Sequence, residues 1–368
     1  MLIGADGTAS LASPGVSIDA RVRVRAPGRV NLIGDHTDYT GGLVLPAAID
    51  RFVEIDGQIG GREVVLSSDQ FETVAAVPLD VAAAEVARLE PPWGRFVAAV
   101  VVELRPAIGF VGTVASTVPV GAGLSSSAAL ELALAVALGA PEEDPVALAR
   151  MAQRAEHAAR GVPTGIMDQL ACVAGRNGHA ILIDCTTLAI TAVPLPPGVG
   201  LVVFHSGQAR DLASSAYAER VGECAAAEAE IGPLRTATLA DVDQLADPLL
   251  RHRARHVVTE NARVRAAVEA LGRDDGAAVG RLMGESHASL RDDYEVSTPE
   301  VDDLVSRLCA TPGVLGARLT GAGFGGCVVA LTVAGVELEG GWALRAVDGV
   351  RRVEPLTNRA VRSPDDDR

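Results

Sequence analysis

Three short segments of this chain bring together residue types that can do chemistry as a set. In the first, residues 29–46, an arginine (Arg29), two acids (Asp35 and Asp38) and a histidine (His36) stand between Gly28 and the Gly41-Gly42 pair. Carboxylate oxygens accept hydrogen bonds from hydroxyls, and paired acceptors read stereochemistry, so such a cluster suits a polyol. A polar turn with solvated acids would account for Asp35 or Asp38 alone, but poorly for their grouping with Arg29 and the glycines. In the second segment, Gly121-Ala122-Gly123-Leu124-Ser125-Ser126-Ser127 leads into an Ala- and Leu-rich run, 128–138, closed by Gly139. Glycines let backbone N–H groups approach an anion, serines cap a helix start, and the helix dipole adds partial positive charge there. A phosphate fits such a loop without a lysine; an ordinary capped helix after a tight turn fits it too. The third segment sets Glu156, late in a helical stretch, and Asp168 on either side of the turn Gly161-Val162-Pro163-Thr164-Gly165. Phosphoryl transfer needs a divalent ion across the phosphates and an oriented acceptor hydroxyl, and two acids flanking a rigid turn are candidates for both. On residue type alone, Glu156 fits a solvated helix position equally well, and Asp168 a helix cap.

The elements that must position these residues alternate between strand and helix. Strands are expected at 21–25, 52–59 and 110–118, the last ended by Pro119, which makes the serine-rich segment a strand, glycine loop, helix unit. A helix is expected over 146–160, with Pro145 before its start and Gly161 and Pro163 as its stop. A Pro-rich turn at 194–198 precedes a strand at 199–205, helices at 217–231 and 258–271, and strand-like runs at 321–333 and 342–353. The expected organisation is a loose leader (1–20), a first domain (21–195), a second domain (196–360) and a short tail (361–368), with the ligand site between the halves.

Composition removes several function classes. With 368 residues, 48% of them hydrophobic, two cores can be filled. A formal net charge of -15 argues against nucleic acid or an anionic membrane as partner. No stretch approaches the roughly 18 apolar residues of a spanning helix, and the first twenty residues lack a signal-peptide pattern, so a cytoplasmic location is expected. Cys172, Cys185, Cys224, Cys309 and Cys327 show no paired short spacing, so neither a zinc site nor a disulfide framework is suggested. The chain contains no lysine, which excludes a Walker loop and the protein-kinase layout; ATP would have to be held another way.

The segment at 29–46 closely resembles the galactokinase signature, and the other two resemble motifs of the superfamily of small-molecule kinases that includes the homoserine, mevalonate and phosphomevalonate enzymes. The resemblance runs from about residue 25 to 327, with three motifs in the family order. It implies an α+β fold of two domains, the N-terminal one like ribosomal protein S5 domain 2 and the C-terminal one ferredoxin-like, with the active site in the cleft between them. It implies ATP held by Gly121, Ala122, Gly123, Leu124, Ser125, Ser126 and Ser127, magnesium held by Ser127 and Glu156, and Asp168 facing the anomeric hydroxyl as base. Arg29 would lie against the transferring phosphate and Asp168; Asp35, His36, Asp38 and Gly165 would meet the sugar. The stretch 212–217 resembles the family segment that brings a tyrosine, here Tyr217, to the sugar, and 318–327 resembles the third superfamily motif, a glycine turn closing on the site. Trp93 would flank the adenine, although a core tryptophan fits as well.

Three departures stand out. Galactokinases usually carry Glu where this chain has Asp35, at the position that meets the C6 hydroxyl; Gln208-Ala209-Arg210-Asp211 replaces a histidine-containing segment; and the region after Val329 is abbreviated. The expected function is an ATP-dependent galactose 1-kinase, a monomer or weak homodimer, with a kinase of a C6-modified or higher-carbon sugar such as an octose as the alternative. A non-catalytic sugar sensor is disfavoured by the presence of Ser127 and Asp168, and a mevalonate or homoserine kinase gives no reason for Asp35, His36, Asp38 and Tyr217 together.

Overall fold

The computed structural model describes residues 20–119, 121–208 and 215–353. Most of the expected leader, the tail and the Arg210 segment lie outside the described residues.

The chain opens on β1 (Arg21–Asn31), β2 (Leu43–Val44), β3 (Pro46–Ile59), β4 (Glu63–Ser68) and β5 (Ala75–Pro78). Strand β1 follows from its alternation: Val22, Val24 and Ala26 are buried, while Arg21 and Arg23 pair with Asp56, and Arg25 with Glu54, on the antiparallel neighbour β3. Opposite charges set across two strands support one register. Helix α1 (Gly94–Leu104) precedes β6 (Phe110–Ser116), and the first sheet has the order β13-β1-β3-β6-β4-β5, in which β13 (Arg351–Arg352) comes from the far end of the chain.

Helices α2 (Ser126–Ala137), α3 (Pro145–Arg160) and α4 (Met167–Ala174) follow. Helix α3 has the ends its sequence dictates: the Asp144 side chain accepts from the N–H groups of Val146 and Ala147, Pro145 takes the first turn, and Gly161 closes the helix at φ 74°. A separate sheet, β2-β7-β8, uses β7 (His179–Asp184) and β8 (Ile190–Pro194). A small core of Val44, Ala149, Ile166, Met167, Leu170, Ile181 and Ile183 ties this sheet to α3 and α4. It fixes where Asp168, on the first turn of α4, points.

The second half contains β9 (Val199–His205), α5 (Ser215–Ile231), the short α6 (Leu239–Val242), α7 (Pro248–Leu271), α8 (Gly276–Asp292), α9 (Pro299–Cys309), β10 (Val314–Thr320), β11 (Cys327–Val333) and β12 (Trp342–Leu344). Its sheet has the order β10-β11-β9-β12. Helix α7 starts ten residues before the expected 258, because Asp247 caps it and Pro248 opens it. The run expected as a strand over 321–333 is a strand only from Cys327; before it, Gly321, Gly323, Phe324, Gly325 and Gly326 all have positive φ and form a turn. Past β12 the chain returns to the first sheet, where Val24 and Arg25 pair with β13, and Arg352 Nη2 donates to the Val136 carbonyl. Among the described residues, no helix is long and apolar enough to cross a membrane.

Candidate active site

The N–H of Arg29 donates to the Leu124 carbonyl at 3.1 Å, where a bulge in β1 meets the glycine-serine loop. The preceding residue must be glycine, since a Cβ on Gly28 would stand 2.5 Å from that same carbonyl oxygen. The Arg29 side chain, 4% exposed, donates to the Gly123 carbonyl at 2.6 Å and forms an ion pair with Asp168, Nη2 to Oδ1 at 2.6 Å and Nε to Oδ1 at 2.9 Å. Burial works against its charge, but Asp168 and Asp35 more than offset that, so its pKa is raised. The other Asp168 oxygen accepts from Ser125 Oγ at 2.6 Å. Ser125 adopts φ 61°, a left-handed conformation unusual outside glycine, at the N-cap of α2. Strain held at such a position is characteristic of functional sites.

Two residues further on, Ser127 Oγ donates to Glu156 Oε1 at 2.8 Å. Glu156 is 4% exposed; Gln169 Nε2 donates to its Oε2, and Arg160 Nε donates to Oε1 at 2.8 Å. Beneath them lies Glu131, fully buried, with no hydrogen-bond partner for either oxygen. Burial, reinforced by Glu156, drives its pKa well above the carboxylate range.

The polyol segment closes the other side. Asp35, 1% exposed, accepts from the Gly321 N–H at 3.0 Å and forms an ion pair with the fully buried Arg318 at 2.6 Å. Burial still leaves its pKa raised, although Arg318 and Arg29 oppose that. The shorter acid, expected to leave room for a C6 substituent, is thus committed to Arg318 and to the glycine turn. His36 bridges Tyr39 Oη through Nδ1 at 3.0 Å and the Ala322 carbonyl through Nε2 at 3.1 Å. A carbonyl only accepts, so Nε2 carries the proton. Asp38 accepts from the N–H groups of Tyr39 and Met167, and its pKa is pushed up to about 7 by burial and by the charges of Asp168 and Asp35. Tyr217, whose hydroxyl accepts from the Gly165 N–H, has its pKa raised, chiefly by burial.

The segment is held from below by α7. Glu260 Oε1 accepts from the Gly34 N–H at 2.8 Å, Asn261 Oδ1 from the Leu43 N–H at 2.7 Å, and His256 Nε2 donates to the Asp35 carbonyl at 3.1 Å. Burial tends to raise the Glu260 pKa, but Arg263, His256, Arg318 and the Ser286 hydroxyl hold it down to about 2. Sequence reading missed these three residues, and Arg160 and Glu131 as well. For the three on α7 the signal was polar residues at positions 256, 260 and 261, a spacing that shares one helix face.

One cavity receives these groups. Arg29, Asp35, His36, Asp38, Gly121, Gly123, Ser125, Ser126, Ser127, Glu156, Gly165, Asp168 and Tyr217 line it, with Arg160, Gly321 and Ala322. Three expected ligand residues stand apart: Ala122 and Leu124 are 1% exposed and pack in the core, and Trp93 is a buried core residue whose indole N–H donates to the Thr73 carbonyl while its ring stacks on Phe71 at 5.7 Å. For Trp93, the core alternative is the arrangement found. Leu124 serves the loop through its carbonyl rather than its side chain.

Residues of the glycine-serine loop, Arg29, the acids of the polyol segment and Asp168 line the same cavity. No group of three or more His, Cys, Asp or Glu side chains suited to a metal occurs among the described residues. Magnesium bound with a nucleotide needs only one or two protein oxygens, the phosphates and water supplying the rest, and the adjacent Ser127 hydroxyl and buried Glu156 carboxylate fit that donor set.

Residues 15–55 match the galactokinase galactose-binding signature, 95–176 the N-terminal domain of GHMP kinases and 267–337 their C-terminal domain. The chain is 46% identical over 333 residues to a galactokinase of Roseiflexus sp. (strain RS-1), and 42% identical over 330 residues to that of Homo sapiens; each match spans 85% of this chain and 84% of the relative. The crystal structure of Lactococcus lactis galactokinase complexed with galactose superposes with a TM-score of 0.83 at 32% identity, covering 90% of this chain and 95% of that one. Methanococcus jannaschii mevalonate kinase shares the fold, with a TM-score of 0.64 at 20% identity over 89% of this chain and 99% of its own.

Proposed function

Because the chain belongs to the galactokinase family of the GHMP kinases, we propose that it transfers the γ-phosphoryl group of ATP to the C1 hydroxyl of galactose. The observation that carries this reading is the Asp168 carboxylate, held between Arg29 and Ser125 where the phosphate loop meets the polyol segment.

In this reading the sugar lies against Asp35, His36, Asp38, Gly165 and Tyr217, with its C1 hydroxyl on Asp168. The O1–H bond breaks toward the carboxylate, O1 bonds to the γ-phosphorus, and the bond from that phosphorus to the bridging oxygen of ADP breaks. Arg29, paired with Asp168, stabilises charge on the equatorial oxygens. Asp168 also orients the hydroxyl, and this positioning carries much of the effect. Loop N–H groups at Gly121, Gly123 and Ser125 to Ser127, with the α2 dipole, hold the phosphates in place of a lysine. Ser127 and Glu156 would hold magnesium, which supplies charge neutralisation across the phosphates when bound. Trp93, with the exposed Phe71 stacked on it, is the candidate that would flank adenine.

The finer architecture belongs to the same proposal: an S5-like domain over 21–195 and a ferredoxin-like domain from 196, with the site in the cleft between them. So does a cytoplasmic monomer or weak homodimer, which the five unbridged cysteines suit.

The test is ADP production with Mg-ATP across galactose, its 2- and 6-modified analogues, glucose and a C6-extended octose. Dominant turnover on galactose supports the assignment. Preference for a C6-altered sugar would move the acceptor to that class, and ATP turnover indifferent to every sugar would sink it.

A further inference from the structure

Arg160, the last residue of α3, lies over the Phe96 ring, with its guanidinium carbon 5.4 Å from the ring centroid. Its Nε donates to Glu156 Oε1 at 2.8 Å and its Nη2 to Ser127 Oγ at 3.0 Å. Those are the two oxygens suited to magnesium. Oε1 also accepts from Ser127, while Oε2 is taken by Gln169, so the lone pairs a divalent ion would use are turned toward the guanidinium.

A carboxylate 4% exposed cannot be left uncompensated, and here the compensation comes from within the chain. A dication placed on the same oxygens would sit at contact distance from a permanent positive charge, which repels strongly in a partly buried site. The arginine has a way out: its side chain is 25% exposed, and it precedes Gly161, where the helix has ended.

We propose that Arg160 is a resident counter-cation of the Ser127–Glu156 site, and that a magnesium nucleotide exchanges with it rather than binding beside it. This rests on the kinase reading above. Arg160 then acts as a positioning residue: it keeps Ser127 and Glu156 together before the nucleotide arrives, at the cost of weaker metal binding.

The experiment is a titration of Mn2+ as a magnesium stand-in, with saturating ADP, on the full chain and on Arg160→Met, following free Mn2+ by electron paramagnetic resonance. The variant is expected to bind Mn-ADP about tenfold tighter or more. Without metal it is expected to melt below the parent, the gap closing when Mn-ADP is added. Arg160→Lys, which keeps the charge without the two-pronged reach, is expected in between and serves if Arg160→Met folds poorly. Equal or weaker Mn-ADP binding in both variants overturns the exchange and makes Arg160 a phosphate-holding group or a bystander. Failure of the unaltered chain to bind Mn-ADP would sink the kinase reading itself, and the exchange with it.

Discussion

The Asp38 carboxylate rests directly on the Cα of Gly165: a Cβ at that position would lie 1.6 Å from Asp38 Oδ2. The sugar segment and the turn before Asp168 can therefore touch only because Gly165 has no Cβ. Gly165→Ala is expected to push Asp38 out of place and to lower kcat/KM for galactose by about 100-fold, because small misplacements of positioning groups cost that much. Nucleotide affinity is expected to hold, since the phosphate loop is not in that contact. Steady-state kinetics beside an ADP-binding isotherm would separate the two, and unchanged kinetics would remove Asp38 from the sugar site.

Asp168→Asn keeps the shape of the group between Arg29 and Ser125 but removes its charge. Its kcat is expected to fall by about two to four orders of magnitude, with the KM for galactose changed far less. A single-turnover measurement checks that the loss lies in the transfer step. A change confined to KM would make Asp168 a binding residue only.

Arg318→Met leaves the buried Asp35 charge without its partner and is expected to destabilise the protein by about 3–5 kcal/mol in urea unfolding. Adding Asp35→Asn is expected to recover most of that loss, because no unpaired charge then remains. Equal stability of the single variant and the parent would show that Asp35 is neutral in the folded chain.

With a pKa of about 7, Asp38 carries its proton below neutrality and is a full hydrogen-bond acceptor only above it. If the ionised form receives the sugar hydroxyls, kcat/KM for galactose is expected to rise through pH 7 in the free enzyme. A flat profile from pH 6 to 8 would contradict that role.

Glu131 gives a pH effect on stability. Its ordinary value is 4.5 and burial raises it in the folded chain, so between those values the folded state holds a proton that the unfolded state has lost. Stability therefore declines as pH rises through that window. Glu131→Gln removes this dependence, and is expected to be more stable than the parent at pH 8 and no different below pH 4. Urea midpoints at the two pH values test it.

Periodicity and capping made much of the fold legible. The α3 boundaries follow from Asp144, Pro145 and Gly161, and β9 spans the residues its apolar run marks. Helix α7 was cut short because its first turns, Arg-rich at 251–255, show little apolar pattern until their buried face is known. The strand expected from Gly321 failed because a row of positive-φ glycines cannot be told from an apolar run by hydropathy alone. At the site, Arg29, the serines, Glu156 and Asp168 were readable as motif residues, whereas Trp93 was equally compatible with core and ligand.

By itself the sequence determined which chemical groups are present, in what local order, and that phosphate must be met by backbone N–H groups and arginine rather than lysine. Those properties depend on residue type and short spacing, which the chain states directly. Tertiary structure decided which groups face each other: Asp35 with Arg318 across 283 residues, Glu131 buried beside Glu156, and Arg160 on the oxygens a metal would use. Such pairings depend on distances across the fold, and burial then sets the charge each group carries, so no local pattern could have announced them.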